Sequence, residues 1–284
     1  MAAPHPFYAE PAPMTALDTE PAATVSEILA TARGVIVHEQ LCALYGFDRP
    51  AERDEELMLR PAGAIVGVAG GLDERPPAER ILGNCRQFSV LTVALLRATG
   101  VPARARCGFG AAFESDKWVD HWIVEWHDGE RWVRSDCQID DEQRAAFGID
   151  HDPLHLPAEA FLTGGEAWLR CRAGDAEPDC FGIHDMWGLW FVQGNAVADL
   201  ASLNKVEMLP WDDWGIRGGP EDGTDPEAVL DRVDEIAATC GADDLDAVRA
   251  LYEAPDLRVP ATVQSWYVGG GRIDDVADLV TVTD

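Results

Sequence analysis

A regular spacing of hydrophobic residues between residues 83 and 100 predicts a helix. Apolar side chains recur there at helical intervals, with small residues between them. They are Phe88, Leu91, Leu95 and Leu96. Gly100 and the proline two residues later end the pattern. The predicted helix therefore begins at or beside Cys85.

A strand and then a hairpin are predicted to follow this helix. Residues 101–110 alternate in side-chain character, as a strand does. Two runs rich in Trp and Val, residues 120–126 and 131–136, flank the dipeptide Asp128-Gly129. An Asp-Gly pair between two such runs is typical of a tight β-hairpin turn.

Further elements are predicted from weaker periodic patterns and from capping residues. They are helices over 24–45, 51–59, 195–209 with Asn195 as N-cap, 226–240 with Asp225 as N-cap, and 244–252, and a strand over 262–268. The glycine-rich segment 62–71 fits a helix or a strand, and its periodicity does not decide between them.

Cys85, His121 and Asp136 are the candidate catalytic residues. The amide N–H groups and the positive dipole end at a helix N-terminus favour a thiolate over a thiol, which suits Cys85 to act as a nucleophile. A nucleophile needs a base, and the base needs a third group that fixes its tautomer and orientation. The predicted hairpin can bring His121 on one strand beside Asp136 near the end of the other, facing the helix end.

These motifs resemble the transglutaminase-like superfamily, a branch of the papain-like cysteine fold. The family pattern has a G-x-C-x-x-[FY] helix start, a strand that begins Pro-Ala-Arg, a strand with His-[Ala/Trp], and a Trp-x-x-x-Asp strand. The matching segments here are residues 83–88, 102–104, 121–122 and 132–136. Asp120 stands where the family usually has a small residue, and Cys137 stands where it usually has proline.

The resemblance implies an α+β fold with a papain/transglutaminase-like core. The helix that carries the nucleophile at its N-terminus packs against an antiparallel sheet, with helical N- and C-terminal extensions. The implied activity is acyl transfer, a hydrolase or transferase reaction through a Cys85 thioester with His121 as base and Asp136 as its orienting partner. Protease, amidase and transferase remain open, and no cofactor is expected. The alternative is a catalytically inactive interaction protein with an acidic docking surface.

The sequence defines the substrate contacts and the oxyanion hole less sharply. Trp118, Asp120 and Trp122 flank the base and are candidate substrate-binding residues, although strand packing explains the two tryptophans equally well. The backbone N–H of Cys85 can supply one oxyanion donor. Papain-like folds take a second donor from an upstream residue; that residue is not identified here, and Asn84 is the one considered.

The chain of 284 residues has a net charge of −29, and Lys117 and Lys205 are its only lysines. The electrostatic field of a protein with this negative charge repels nucleic acid and anionic membranes, and it favours a cationic substrate or an amine acceptor. A strongly solvated surface explains the same charge without any functional role. The expected acyl substrate is a small molecule, a peptide or a protein.

The seven cysteines are odd in number and form no Cys-x-x-Cys pair. No signal-like segment and no apolar run long enough for a bilayer stands in the sequence, so reduced thiols and a cytoplasmic location are predicted. The candidate ligands match no standard zinc spacing, and no metal site is predicted. They are His151, His155, Cys171, Cys180 and His184.

Composition predicts three segments in the chain. Residues 1–22, rich in Pro and Ala, form an extended arm; 23–217 form the transglutaminase-like domain; and 218–284 form a C-terminal helical extension that begins with a glycine-rich linker. Residues 203–214 combine Lys205 with carboxylates in an apolar setting. They fit either a helix packed on the core or a wall of the substrate cleft.

Overall fold

A computed structural model describes residues 6–18, 24–218, 226–267 and 270–282 of the chain. The α-helices in this part are α1 (Val25–Val35), α2 (Ala62–Ala69), α3 (Cys85–Ala98), α4 (Asp141–Phe147), α5 (Gly164–Ala173), α6 (Leu189–Leu203), α7 (Pro226–Gly241), α8 (Leu245–Tyr252) and α9 (Ala277–Val280). The strands are β1 (Ile36–His38), β2 (Ile81–Gly83), β3 (Ala103–Gly110), β4 (Trp118–His127), β5 (Trp132–Ser135), β6 (Phe161–Thr163), β7 (Phe181–Ile183), β8 (Met186–Trp187), β9 (Asp212–Asp213), β10 (Thr262–Ser265) and β11 (Arg272–Asp275). Within the described residues, no helix combines the length and the apolar character needed to cross a membrane.

The chain divides into two compact units. Unit 1 consists of Met1–Ala105, Ile123–Leu156 and Val282–Asp284, and unit 2 consists of Arg106–Trp122 and Pro157–Thr281. The boundaries fall inside β3 and β4, so each of these strands contributes residues to both units.

Unit 1 is built around α3, whose residues from Cys85 to Arg97 are all buried. Helices α1 and α2 pack against it. Arg97 is buried near its C-terminal end and donates hydrogen bonds to the Ala103 carbonyl at 3.0 Å and to the Thr15 hydroxyl at 2.7 Å. Thr15, which belongs to the predicted arm, is thereby bonded to the central helix of the unit.

Two short strand pairs complete unit 1. β1 and β2 run parallel, with Ile36 opposite Ile81. β4 and β5 form an antiparallel hairpin, with Val124 opposite Ser135. The predicted hairpin is therefore confirmed, and β2 leads directly into α3.

Unit 2 contains the remaining sheet and most of the C-terminal helices. β3 lies between β6 and β4, β7 lies on the other side of β4, and β8 lies outside β7. The β4–β7 pair is parallel and the β3–β6 and β7–β8 pairs are antiparallel, so the sheet is mixed rather than purely antiparallel. Helices α5, α6 and α7 pack against one another, and β10 pairs with β9 and β11.

The strand predicted over residues 101–110 is confirmed as β3, and all eight of its residues are buried. A strand between two neighbours in a sheet that is covered on both faces carries no solvent-facing row. Two of its polar side chains, Arg104 and Arg106, are buried by pairing with Glu125 and Asp199 respectively.

Two predicted helices have different bounds in the structure. The helix predicted over 24–45 ends at Val35, since the next three residues pair with β2 as β1. The helix predicted over 195–209 spans Leu189–Leu203, so Asn195 lies inside α6 and is not its N-cap. The backbone leaves this helix before Lys205, whose φ of 61° is left-handed.

The other predicted elements agree more closely. Residues 51–58 form a 3₁₀-helix, the ambiguous segment 62–71 contains α2, and the two C-terminal helices and the strand near 262 are present as α7, α8 and β10. The predicted linker residues 219–225, with the predicted N-cap Asp225, lie outside the described residues. The C-terminal segment is not only helical, since it also contributes β10 and β11. The predicted domain boundary at residue 218 stays a prediction.

Candidate active site

Cys85 is the first residue of α3, and Asn84 is its N-cap. The Asn84 Oδ1 atom accepts hydrogen bonds from the backbone N–H groups of Arg86 at 3.0 Å and Gln87 at 3.4 Å. In return, Gln87 Oε1 accepts the Asn84 backbone N–H at 2.9 Å. This capping box fixes where the helix begins, and Cys85 is held at that end with 6% of its surface exposed. The Asn-x-x-Gln spacing in the sequence carries this signal.

Contacts from the preceding segments hold the α3 N-terminus in place. Gln87 Nε2 donates to the Glu56 carbonyl at 2.8 Å, and the Glu56 carboxylate accepts the Leu82 backbone N–H at 2.8 Å. Gly83 is needed at the junction, because a Cβ atom there would come within 2.6 Å of the Ile36 side chain. The predicted location of Cys85 at a helix start is therefore confirmed.

His121 lies within β4 in unit 2 and is 3% exposed. Its ring contacts Phe113, with ring centroids 4.7 Å apart, and it lies edge-on to Phe161 at 6.4 Å. A Cβ atom at Gly110 would come within 2.7 Å of the Phe113 ring, so the close approach of this ring to β3 requires glycine. The imidazole of His121 therefore lies beside two aromatic rings.

Asp120, the neighbour of His121 in the chain, is buried and accepts a hydrogen bond from Asn195 Nδ2 at 2.8 Å. The same nitrogen reaches the Gly108 carbonyl at 3.1 Å. Desolvation raises the pKa of Asp120, while the Asn195 bond and the charges of Arg217 and nearby histidines oppose that rise. The sequence predicted Asn195 as a helix N-cap. Its bond to Asp120 could not be predicted, because the two residues are far apart in the chain and no local pattern links them.

Asp136 lies in unit 1 directly after β5 and is 4% exposed. Its Oδ1 atom accepts the backbone N–H groups of Gln138 at 3.0 Å and Ile139 at 3.4 Å, and its own N–H donates to the Pro153 carbonyl at 2.8 Å. These bonds fix the turn that leaves the hairpin. The carboxylate is consequently held at a defined place at the end of β5.

Three of the other cysteines lie in surroundings that disfavour the thiolate or shield the thiol from solvent. Cys137 is fully buried with its sulfur 3.6 Å from the Ser89 hydroxyl, and desolvation, followed by the charge of Asp136, raises its pKa to about 12. Desolvation also raises the pKa of Cys171 to about 11. Cys107 is buried on β3.

The two candidate substrate-binding tryptophans differ in exposure. Trp118 is half-buried and stacks on Phe181 with centroids 6.0 Å apart, whereas Trp122 is 1% exposed. Among the residues that the structure describes, no group of three or more His, Cys, Asp or Glu side chains is arranged to hold a metal ion. A role for either tryptophan in substrate binding stays a prediction.

The comparisons with known proteins bear on one part of the chain. Residues 74–137 match the family model of the transglutaminase-like superfamily, whose members typically are thiol-dependent acyltransferases or proteases. Comparison with curated proteins and with solved structures gave no match. The matched segment includes Cys85, His121 and Asp136. The resemblance is thus confirmed: within this chain of mixed helix and sheet, residues 74–137 carry a core similar to that of the transglutaminase-like superfamily.

Proposed function

We propose that the protein is a thiol-dependent acyl-transfer enzyme, in which Cys85 forms a thioester with an amide or related carbonyl substrate. The observation that carries this proposal is the position of Cys85 as the first residue of α3. The N–H groups and the dipole at that end favour the thiolate form of cysteine. The family match over residues 74–137 supports the same chemistry, because it spans all three candidate residues.

In the proposed reaction, Cys85 Sγ attacks the carbonyl carbon and His121 gives its proton to the leaving amine. The carbonyl is restored as a thioester. Water or an amine then attacks the thioester while His121 accepts its proton, and the Cys85 thiolate leaves. Asp136 orients the imidazole and stabilises its protonated form. Both β4, which carries His121, and β5, which ends beside Asp136, belong to the predicted hairpin region.

The environments of two other cysteines, Cys137 and Cys171, support Cys85 as the nucleophile. A thiol with a pKa near 11 or 12, such as that of Cys171 or Cys137, has almost no thiolate at neutral pH. Neither of these residues lies at the N-terminus of an α-helix. Cys85 occupies that position and is 6% exposed.

The test is single-turnover acylation by libraries of amides, esters and peptides, followed by intact-mass detection. The wild-type protein is expected to gain the acyl mass at Cys85, and Cys85→Ala is expected to gain none. Cys180→Ser is the matched control, because it removes a half-buried thiol from a short 3₁₀-helix. It should acylate like the wild type.

Acyl transfer to another cysteine, or an undiminished mass gain in Cys85→Ala, would contradict the proposal. A wild-type protein that acylates with none of these compounds but binds basic proteins or peptides would support the alternative of an inactive interaction protein. The net charge of −29 is the feature that makes a basic partner the relevant one to try.

A further inference from the structure

We propose that the side-chain amide of Asn84 is the second donor of the oxyanion hole, beside the backbone N–H of Cys85. This inference rests on the proposed acyl-transfer function and adds a catalytic residue to it. The sequence alone does not identify the second donor, since any upstream side chain or backbone N–H could serve.

The helix cap fixes the orientation of the Asn84 amide. Its Oδ1 atom faces the backbone N–H groups of Arg86 and Gln87, which only an acceptor can satisfy. The NH₂ end of the same planar group must therefore point away from these two donors. Gln87 holds the Asn84 backbone N–H at the same time, so the residue is fixed at both its main chain and its side chain.

The Nδ2 atom of Asn84 is buried and has no hydrogen-bond acceptor among the residues that the structure describes. Asn84 as a whole is 5% exposed. A buried amide donor with no acceptor is uncommon, because its lost hydration is not compensated. Capping alone does not require this group, since Ser or Asp caps a helix with an oxygen and brings no such donor. An acceptor on a ligand would satisfy it.

The reaction supplies such an acceptor. When Cys85 Sγ forms a bond to the carbonyl carbon, the π electron pair moves onto the carbonyl oxygen, which becomes an oxyanion. A neutral N–H donor held next to the nucleophile stabilises this charge without cost of reorganisation. When the intermediate collapses, the electron pair re-forms the C=O bond, and the leaving amine departs with the proton from His121. Asn84 exchanges no proton in either step.

Two substitutions separate the donor from the cap. Asn84→Ser keeps a capping oxygen and removes the amide donor, and Asn84→Asp keeps the size and the capping oxygen but removes the donor and adds a negative charge. Thr24→Ala is the control, because it removes the capping side chain at the start of α1 in the same unit. Thermal denaturation checks that each variant is folded.

Two reactions of Cys85 are compared in each variant. Acylation by 4-nitrophenyl acetate passes through an oxyanion, whereas alkylation by iodoacetamide does not. Asn84→Ser is expected to lower the acylation rate constant by about 10²–10³-fold, and Asn84→Asp by at least as much, while the alkylation rate stays unchanged. Thr24→Ala should change neither rate.

An unchanged acylation rate in Asn84→Ser would overturn the inference. So would an equal loss of acylation and alkylation in both variants, because Asn84 would then act only by holding Cys85 or its thiolate. Failure of the proposed function gives a different result: Cys85→Ala would be acylated as fast as the wild type, whatever is substituted at residue 84.

Discussion

The side-chain amide of Asn195, in the middle of α6, donates a hydrogen bond to Oδ1 of Asp120 at 2.8 Å. Asp120 precedes the proposed base in β4 and stands where the transglutaminase-like pattern usually has a small residue. Its carboxyl group is buried, and desolvation raises its pKa. A buried acid therefore precedes His121 in the chain, and its neutral hydrogen-bond partner comes from α6. The sequence alone did not predict this partner.

Asp120→Asn is expected to become relatively more stable than the wild type as the pH rises. The folded-state pKa of Asp120 is raised above the reference value of 3.8, so above that pH the unfolded state releases a proton that the folded state retains. Ionisation therefore lowers the stability of the wild type as the pH rises towards the folded-state pKa. Asparagine does not ionise, and its Oδ1 atom can still accept the Asn195 bond. Urea unfolding at several pH values between about 4 and 7 measures the difference.

The control for this prediction is Glu159→Gln, which removes one negative charge from an exposed position in the same unit. The difference in the free energy of unfolding between Glu159→Gln and the wild type should vary much less with pH. If the Asp120→Asn difference were the same at every pH, the pKa of Asp120 would not be raised in the folded protein.

The features that the sequence predicted well depend on residues close together in the chain. The spacing of apolar residues over 83–100 predicts α3, and Asp128-Gly129 between two apolar runs predicts the hairpin. Each signal spans fewer than twenty residues. Local hydrophobic periodicity and turn chemistry therefore located the proposed nucleophile and the strand that carries the proposed base.

The features that it missed depend on distant pairing. The first helix stops at Val35 because the following residues pair with β2, more than forty positions away. Asn195 is seventy-five residues from Asp120, and nothing in the local sequence distinguishes a bond to that carboxylate from an N-cap. Periodicity predicts which residues of a helix are apolar, but it does not predict which polar side chain is buried against a remote acid.

The buried pair of Arg106 and Asp199 is expected to contribute strongly to stability. Asp199 accepts two bonds from the guanidinium group, at 2.9 and 2.7 Å, and also the Cys107 backbone N–H at 3.0 Å. Asp199→Ala leaves a buried cation without its partner and should lower the free energy of unfolding by about 3–5 kcal/mol. Glu253→Gln breaks the exposed pair with Arg258 and should cost less than about 1 kcal/mol. Urea unfolding of both variants tests this contrast, and equal losses would contradict it.

Thiol labelling should distinguish Cys85 from the other cysteines. At about pH 6, iodoacetamide is expected to modify Cys85 first, because a helix N-terminus favours the thiolate. Cys137 should stay unmodified in the folded protein, since it is buried and its pKa is raised to about 12. Peptide mapping after short reaction times identifies the labelled residue. Faster labelling of Cys171 or Cys180 than of Cys85 would argue against an activated nucleophile at the start of α3.

Limited proteolysis tests the predicted linker at residues 218–225. If it joins two domains, a protease of broad specificity should cut first near residues 218–223, and the fragments should separate on gel electrophoresis. A second cut elsewhere should appear only later. Resistance of this segment under native conditions, with cleavage first at another site, would contradict the predicted domain boundary.

Asp136→Asn is expected to lower the acylation rate by about 10⁴-fold while the protein stays folded. Asparagine keeps an oxygen that can accept the N–H groups of Gln138 and Ile139, so the turn after β5 should persist. It loses the charge that is proposed to orient His121 and stabilise its protonated form, and this loss should also shift the pH profile of acylation. Cys107→Ser and Cys137→Ser are the controls in the neighbouring segments, and both should retain near wild-type rates. Full activity in Asp136→Asn, or inactivation by either cysteine substitution in a protein that remains folded, would show that the proposed catalytic residues are wrongly assigned.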